Sequence, residues 1–163
     1  MAADSQATYN SSLMFEVTKI FKTEEYIFAF AGGIDDGYQY KSILDGEMKI
    51  KDANISKDFN ALVWYSDGRV EEIFSSLFPV PFTGKFTSIG SGMPYAMAAM
   101  SCGKTAREAV EVAKKLDCNT GGKIVSYSWD KIKQKKGKKK KNEMSTMSNG
   151  VLSEETLAEV LPS

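Results

Sequence analysis

Hydrophobic positions along the chain fall into short runs separated by polar corners, not into long helical stripes. The clearest run, Tyr26-Ile27-Phe28-Ala29-Phe30-Ala31, is entered from Lys22-Thr23-Glu24-Glu25 and left at Gly32-Gly33. Its length, its aromatic residues and its glycine stop predict a buried strand over 26–31. Residues 14–21 alternate more loosely. A short helix is expected from about Asp35 to Leu44, carrying Tyr38, Ile43 and Leu44 and stopped by Gly46. Residues 49–58 are polar and read as a connection. Two strands, 61–65 and 70–74, flank Ser66-Asp67-Gly68-Arg69, where Asp-Gly is expected to supply the positive φ angles of a tight hairpin.

Beyond the hairpin, two prolines and a glycine predict a loop over 79–84, and Phe86-Thr87-Ser88-Ile89 reads as a short strand closed by Gly90-Ser91-Gly92. Pro94 suits the first turn of a helix continuing through Met100. Thr105-Ala106-Arg107-Glu108 has the pattern of a capping box. Ala109, Val110, Ala113 and Leu116 follow at helical spacing, so a helix is expected over 106–117. A turn over 119–122 leads to the alternating segment 123–129. Strand, helix, hairpin, strand, two helices, strand is not a repeating βαβ order. The fold class it predicts is an α/β layered domain, an antiparallel sheet with helices packed on it.

Length and composition leave this picture standing. One domain is the natural count for 163 residues, and 42% hydrophobic with 26% charged residues is ordinary for a globular chain. The net charge is +0, but eight lysines fall between Lys131 and Lys141, leaving residues 1–130 with 13 basic and 17 acidic side chains. A nucleic-acid-binding body is therefore not expected. The boundary falls near residue 130: a folded body over 1–130, then a lysine-rich flexible extension over 131–163 with a short helix capped by Ser153. With no histidine and only Cys102 and Cys118, the common Cys/His zinc sites are excluded. No metal or other cofactor is expected. Reduced thiols are the default, one disulfide being the alternative. No apolar stretch approaches a membrane span and no targeting segment is visible, so a cytoplasmic or otherwise intracellular setting is expected, without a membrane partner.

Several segments agree in order with one family. Ala3-Asp4-Ser5-Gln6-Ala7-Thr8, Thr18-Lys19-Ile20-Phe21, Phe28-Ala29-Phe30-Ala31-Gly32-Gly33, Ile89-Gly90-Ser91-Gly92, the capped helix from Ala106, and Asp117 with Thr120-Gly121-Gly122 occur in sequence. Together they cover most of residues 3–129, and the chain resembles proteasome β-type subunits and the bacterial heat-shock-locus peptidase. The resemblance implies a reduced form of the N-terminal-nucleophile-hydrolase fold. In that family a terminal threonine attacks the peptide carbonyl and its α-amine takes the proton. The resemblance places Asp4, Lys19 and Ser91 at the family's supporting aspartate, lysine and serine. It places Ala29, Ala31 and Gly32 at the substrate and oxyanion region. A lysine held charged by an aspartate lowers the pKa of a nucleophile beside it, and backbone N–H groups stabilise the oxyanion.

Two departures stand out. Only Met1, Ala2 and Ala3 precede Asp4, removal of Met1 exposes Ala2, and neither Ser5 nor Thr8 carries a free α-amine, so the chain offers no terminal nucleophile. The stretch between Gly33 and Ala61 has room for one short helix where the family has two long ones. Other features have plain readings. Gly32-Gly33 is a strand-to-helix turn, Asp35-Asp36 a solvated helix start, Met97 and Met100 core filler, and Trp129 a strand-end anchor. The expectation is a proteasome-like protein, not catalytic as it stands, acting by self-association or on a related protease or unfoldase. A threonine-type endopeptidase with a shortened N-terminus and a basic-tailed polyanion adaptor are the alternatives.

The lysine run yields a test. Truncation after Asp130 is expected to leave thermal unfolding nearly unchanged and to weaken binding to heparin or nucleic acid at low salt. Unfolding of the truncated body would refute the tether, and undiminished binding would refute the lysines as its source.

Overall fold

The computed structural model describes residues 1–9 and 13–129; the expectations for the lysine-rich extension and its terminal helix lie outside the described residues. In chain order the elements are β1 (Ala2–Ala3), β2 (Gln6–Tyr9), β3 (Leu13–Glu16), β4 (Ile20–Lys22), β5 (Tyr26–Ala31), α1 (Ile34–Leu44), β6 (Asn60–Tyr65), β7 (Val70–Phe74), β8 (Pro79–Pro81), α2 (Met93–Ser101), α3 (Ala106–Leu116) and β9 (Val125–Ser126). A single 3₁₀ turn, Ile50–Asp52, sits in the connection after α1.

The apolar run is β5, flanked by β4 and β6 in a five-stranded antiparallel sheet of order β4-β5-β6-β7-β8. Tyr26 through Phe30 are all buried because the sheet is covered on both faces. Successive side chains point to opposite sides, and the two sets enter different cores. Tyr26, Phe28 and Phe30 join Ala61, Val63, Ile73 and Tyr40 of α1 on one face. Ile27 and Ala29 join Ile20, Met1, Ala3, Trp64 and Trp129 on the other. On this second face lies the two-stranded sheet β1-β9, with α3 packed against it and α2 packed against α3. The layers therefore run helix, sheet, sheet, helix pair.

The helices follow their local signals. Thr105 Oγ1 accepts the Glu108 N–H at 3.3 Å while Glu108 accepts the Thr105 N–H at 2.8 Å, so both halves of the capping box are made. Pro94 stands in the first turn of α2, where its missing N–H costs nothing.

Several expectations are corrected. Residues 79–84 are not wholly a loop, since Pro79–Pro81 pairs with β7. The N–H of Phe82 donates to Val70, so by alternation the nitrogens of Pro79 and Pro81 face the outer edge and remove donors there. Residues 86–89 form no strand; the Thr87 hydroxyl goes to Glu72 at 2.7 Å. The strand expected over 123–129 shrinks to Val125–Ser126, because its ladder is only as long as β1. At the hairpin only Gly68, not Asp67, has positive φ, giving a three-residue loop closed by Tyr65 and Arg69. Trp129 lies outside any strand and packs edge-on to Trp64.

Asp36 is also corrected. It is buried, not solvated, and accepts the Ser56 N–H at 3.2 Å together with the Ser56 hydroxyl. These bonds draw the 50–58 connection over the start of α1. Asp36→Ala leaves both donors unpaired and is expected to lower stability by about 1–3 kcal/mol, read as a lower urea midpoint.

Candidate functional site

Asp4 follows β1 immediately, and its carboxylate accepts three hydrogen bonds. Its Oδ1 accepts Lys19 Nζ at 2.9 Å. Its Oδ2 accepts the N–H of Gln6 at 3.1 Å and that of Gly121 at 3.0 Å. Lys19 stands just before β4, with its carbonyl accepting the N–H of Phe30 at 3.1 Å. The side chains of Lys19 and Asp4 are only 18% and 14% exposed, so the ammonium is largely withdrawn from water and carries its counter-charge with it.

Ser91 occupies a turn that its neighbours make necessary. Gly90 has φ +84°, and a Cβ on Gly92 would stand 2.6 Å from Thr120 Oγ1. The Ser91 hydroxyl donates to Asp117 at 2.7 Å, and the Thr120 hydroxyl donates to the same carboxylate oxygen at 2.6 Å. Burial works against the Asp117 charge. Hydrogen bonds from Thr120, Ser91 and the Asn119 amide, with the nearby Lys19 ammonium, outweigh it and hold the Asp117 carboxyl below its ordinary value. Lys19 thus lies within reach of two carboxylate fields, bonded to one.

Asp4, Lys19, Ala29, Ala31, Gly32 and Ser91 all border one cleft of about 1330 Å³. The last three β5-derived positions differ in what they offer. Ala29 is buried and sits within the ladder between Ile20 and Leu62, so its backbone is already spent. Ala31 ends the strand and Gly32, at φ +102°, turns the chain out of it, so backbone open to the cleft begins there. Asp117 and Thr120 had no role assigned from sequence. The signal was present as a carboxylate and a hydroxyl three residues apart after a helix, but only the fold shows that Ser91 meets them.

The cluster can orient groups and stabilise negative charge. A carboxyl held below its usual range takes a proton weakly, which makes Asp117 a weak general base. Ser5 is equally committed, since its buried hydroxyl accepts the N–H of Lys123 at 2.8 Å.

No protein-family model matches the chain, and no curated protein matches it. Solved structures do. BPH of Thiobacillus denitrificans, solved in complex with epoxomicin, aligns with TM-score 0.61 at 19% identity over 77% of this chain and 89% of its own. The eukaryotic HslV of Trypanosoma brucei aligns with TM-score 0.58 at 17% identity over 76% and 88%. Anbu from Hyphomicrobium sp. strain MC1 aligns with TM-score 0.57 at 11% identity over 76% and 73%. These likenesses establish the fold: an α/β layered, N-terminal-nucleophile-hydrolase-like architecture shared with proteasome-like proteins at low sequence identity.

The depressed Asp117 carboxyl carries a pH dependence. A carboxyl whose folded pKa is lowered adds stability above its unfolded value, about 3.9, and loses it as pH falls through the lower folded value. Asp117→Asn is expected to be less stable than the parent at pH 7, with the gap shrinking below about pH 3.9. Urea unfolding at pH 7 and pH 3 measures it; an equal gap at both would assign the loss to packing.

Proposed function

We infer that this chain is a proteasome-like body that works through association and does not cleave peptides by itself. One observation carries the inference. The Asp4–Lys19 pair is assembled at the cleft, yet the hydroxyls of Ser91 and Ser5 nearby are committed to Asp117 and to the Lys123 backbone. Orienting groups tune a nucleophile but do not replace one. Association has a second surface as well: Phe78 is 73% exposed beside exposed Val80 on the outer strand β8, which supports self-association. No helix among the described residues is long and apolar enough to cross a membrane.

A threonine-type endopeptidase is the second reading, favoured by the placement of Lys19. A partly buried ammonium beside a cleft lowers the pKa of whatever hydroxyl or amine is brought against it. Ala31 and Gly32 at the open strand end would then serve the substrate and the oxyanion.

The two readings separate in a peptidase assay on the purified chain, with Lys19→Ala and Ser91→Ala beside it. Peptide hydrolysis at the buffer background is expected for all three. Turnover that disappears in both variants would overturn the inference and identify an internal Ser–Lys pair. Turnover that appears only when a strand bearing an N-terminal threonine is joined ahead of Met1 would favour the endopeptidase.

A further inference from the structure

Charge is missing from one long stretch of a chain that is otherwise well charged. Between Ile73 and Gly103, 31 residues, the one charged side chain is Lys85; at the chain's 26% about eight would be expected. Burial would explain this, but the stretch is not buried. Five of the eleven large hydrophobic side chains exposed among the described residues fall in it: Phe74, Phe78, Val80, Met93 and Tyr95. Helix α2 has no charged residue on any face, whereas a surface helix ordinarily turns charged or polar residues to water. Depletion of Lys, Glu and Asp with enrichment of aromatic residues and Met marks the core of a protein interface against the rest of a surface.

The β7–β8 hairpin holds Phe78 outward. It repeats the loop of the β6–β7 hairpin: the N–H of Leu77 donates to the Phe74 carbonyl at 2.8 Å, as that of Gly68 donates to Tyr65 at 3.0 Å. Gly68 has the positive φ of this position, and so does Leu77, at +62°. A leucine there is strained where glycine is not. Its side chain supplies the compensation, being buried in the core that holds Ile73 and Phe59, and it pins the loop to the body. Phe78, next in the chain, stands out from a fixed loop and loses little freedom when covered. Val80 lies opposite Glu72, which puts it on the face of Phe74. Phe74 and Met93 border the same cleft, which brings the hairpin and the start of α2 to one rim. The β8 edge, with the nitrogens of Pro79 and Pro81 on it, is a poor template for another strand, so this surface works through side chains.

We propose that the uncharged surface of residues 73–103, with Phe78 as its anchor and Tyr95 of α2 beside it, is where a second copy of this chain docks. The proposal rests on the reading that the protein works through association, and it names the partner and the face. Charge complementarity selects the occupant. A partner bringing charged groups to this surface would strip them of water without gaining a counter-ion, since Lys85 is the one charge on offer. The chain itself carries a matching uncharged surface, and two copies meet there without burying an unpaired ion.

The test is sedimentation velocity of the full chain over a range of concentrations, at about 0.15 M and about 1 M salt. The parent is expected to sediment above the mass of one chain, and to the same extent at both salts, because no ion pair holds the interface. Phe78→Glu and Tyr95→Glu alter exposed side chains, and a glutamate in the first turn of α2 suits the helix. Each is expected to weaken assembly at least about tenfold. Ile50→Glu and Leu116→Glu, at exposed apolar positions outside the stretch, are expected to leave it unchanged. An assembly that Phe78→Glu or Tyr95→Glu leaves intact, or that Ile50→Glu weakens as much, overturns this surface while the association reading stands. Assembly lost at about 1 M salt overturns it too, assigning the contact to charged groups. A parent at the mass of one chain at every concentration overturns the second copy as occupant, and the peptidase assay then decides the reading beneath it.

Discussion

Everything at the cleft depends on one carboxylate. Asp4 accepts three donors, and these come from three places along the chain: its own neighbour Gln6, Lys19 ahead of β4, and Gly121 after α3. Through them the end of β1, the start of the larger sheet and the turn leaving the helix layer are held at one point. An ammonium withdrawn this far from water is costly unless it is paired. Loss of the carboxylate would remove the ion-pair partner of Lys19 and leave the Gly121 N–H unmet, while the Gln6 N–H keeps the Gly121 carbonyl at 3.2 Å. The bonds also have direction, so Asp4 fixes where Lys19 points as well as its charge.

The second constraint is that β5 is buried on both faces. A strand with Ile27 and Ala29 on one side and Phe28 and Phe30 on the other must be covered twice. Helix α1 covers the aromatic side with Tyr40, and Phe59, in the connection just before β6, closes beside it. On the other side β1, β9 and Trp129 cover only the part of the sheet nearest Ile20, Ile27 and Trp64. Farther across the sheet Leu62 is still buried, while Phe74 is 45% exposed, and both border the cleft. Strand β2, strand β3 and the small residues Ala96 and Ala109 of α2 and α3 border the same cleft.

What could be seen in the amino-acid sequence follows from how local each signal is. The strand 26–31 and the helix from Ala106 were legible because an unbroken apolar run and a Thr-x-x-Glu box act within a few residues. The strand β8 was not, because two prolines mark a loop unless a neighbour supplies an edge on which their missing donors face outward. Val125–Ser126 came out shorter than its alternation implied, since ladder length belongs to the partner strand as much as to the segment. Asp36 was misread because its burial arises from the 50–58 connection folding over it. At the site, resemblance drew attention to Asp4, Lys19 and Ser91. No local rule brings Asp4 to Lys19 across 15 residues or Ser91 to Asp117 across 26; the layered fold does.

The cluster gathers at the end of β1, inside the cleft that its side chains border. Ala3 closes the strand and the next residue is Asp4, so the strand end delivers the carboxylate directly to Lys19. Within the cluster, the described groups are a cation with its counter-ion, a serine donating its hydroxyl, and a carboxylate held below its ordinary value by its donors. Such a set stabilises developing negative charge and orients what enters the cleft.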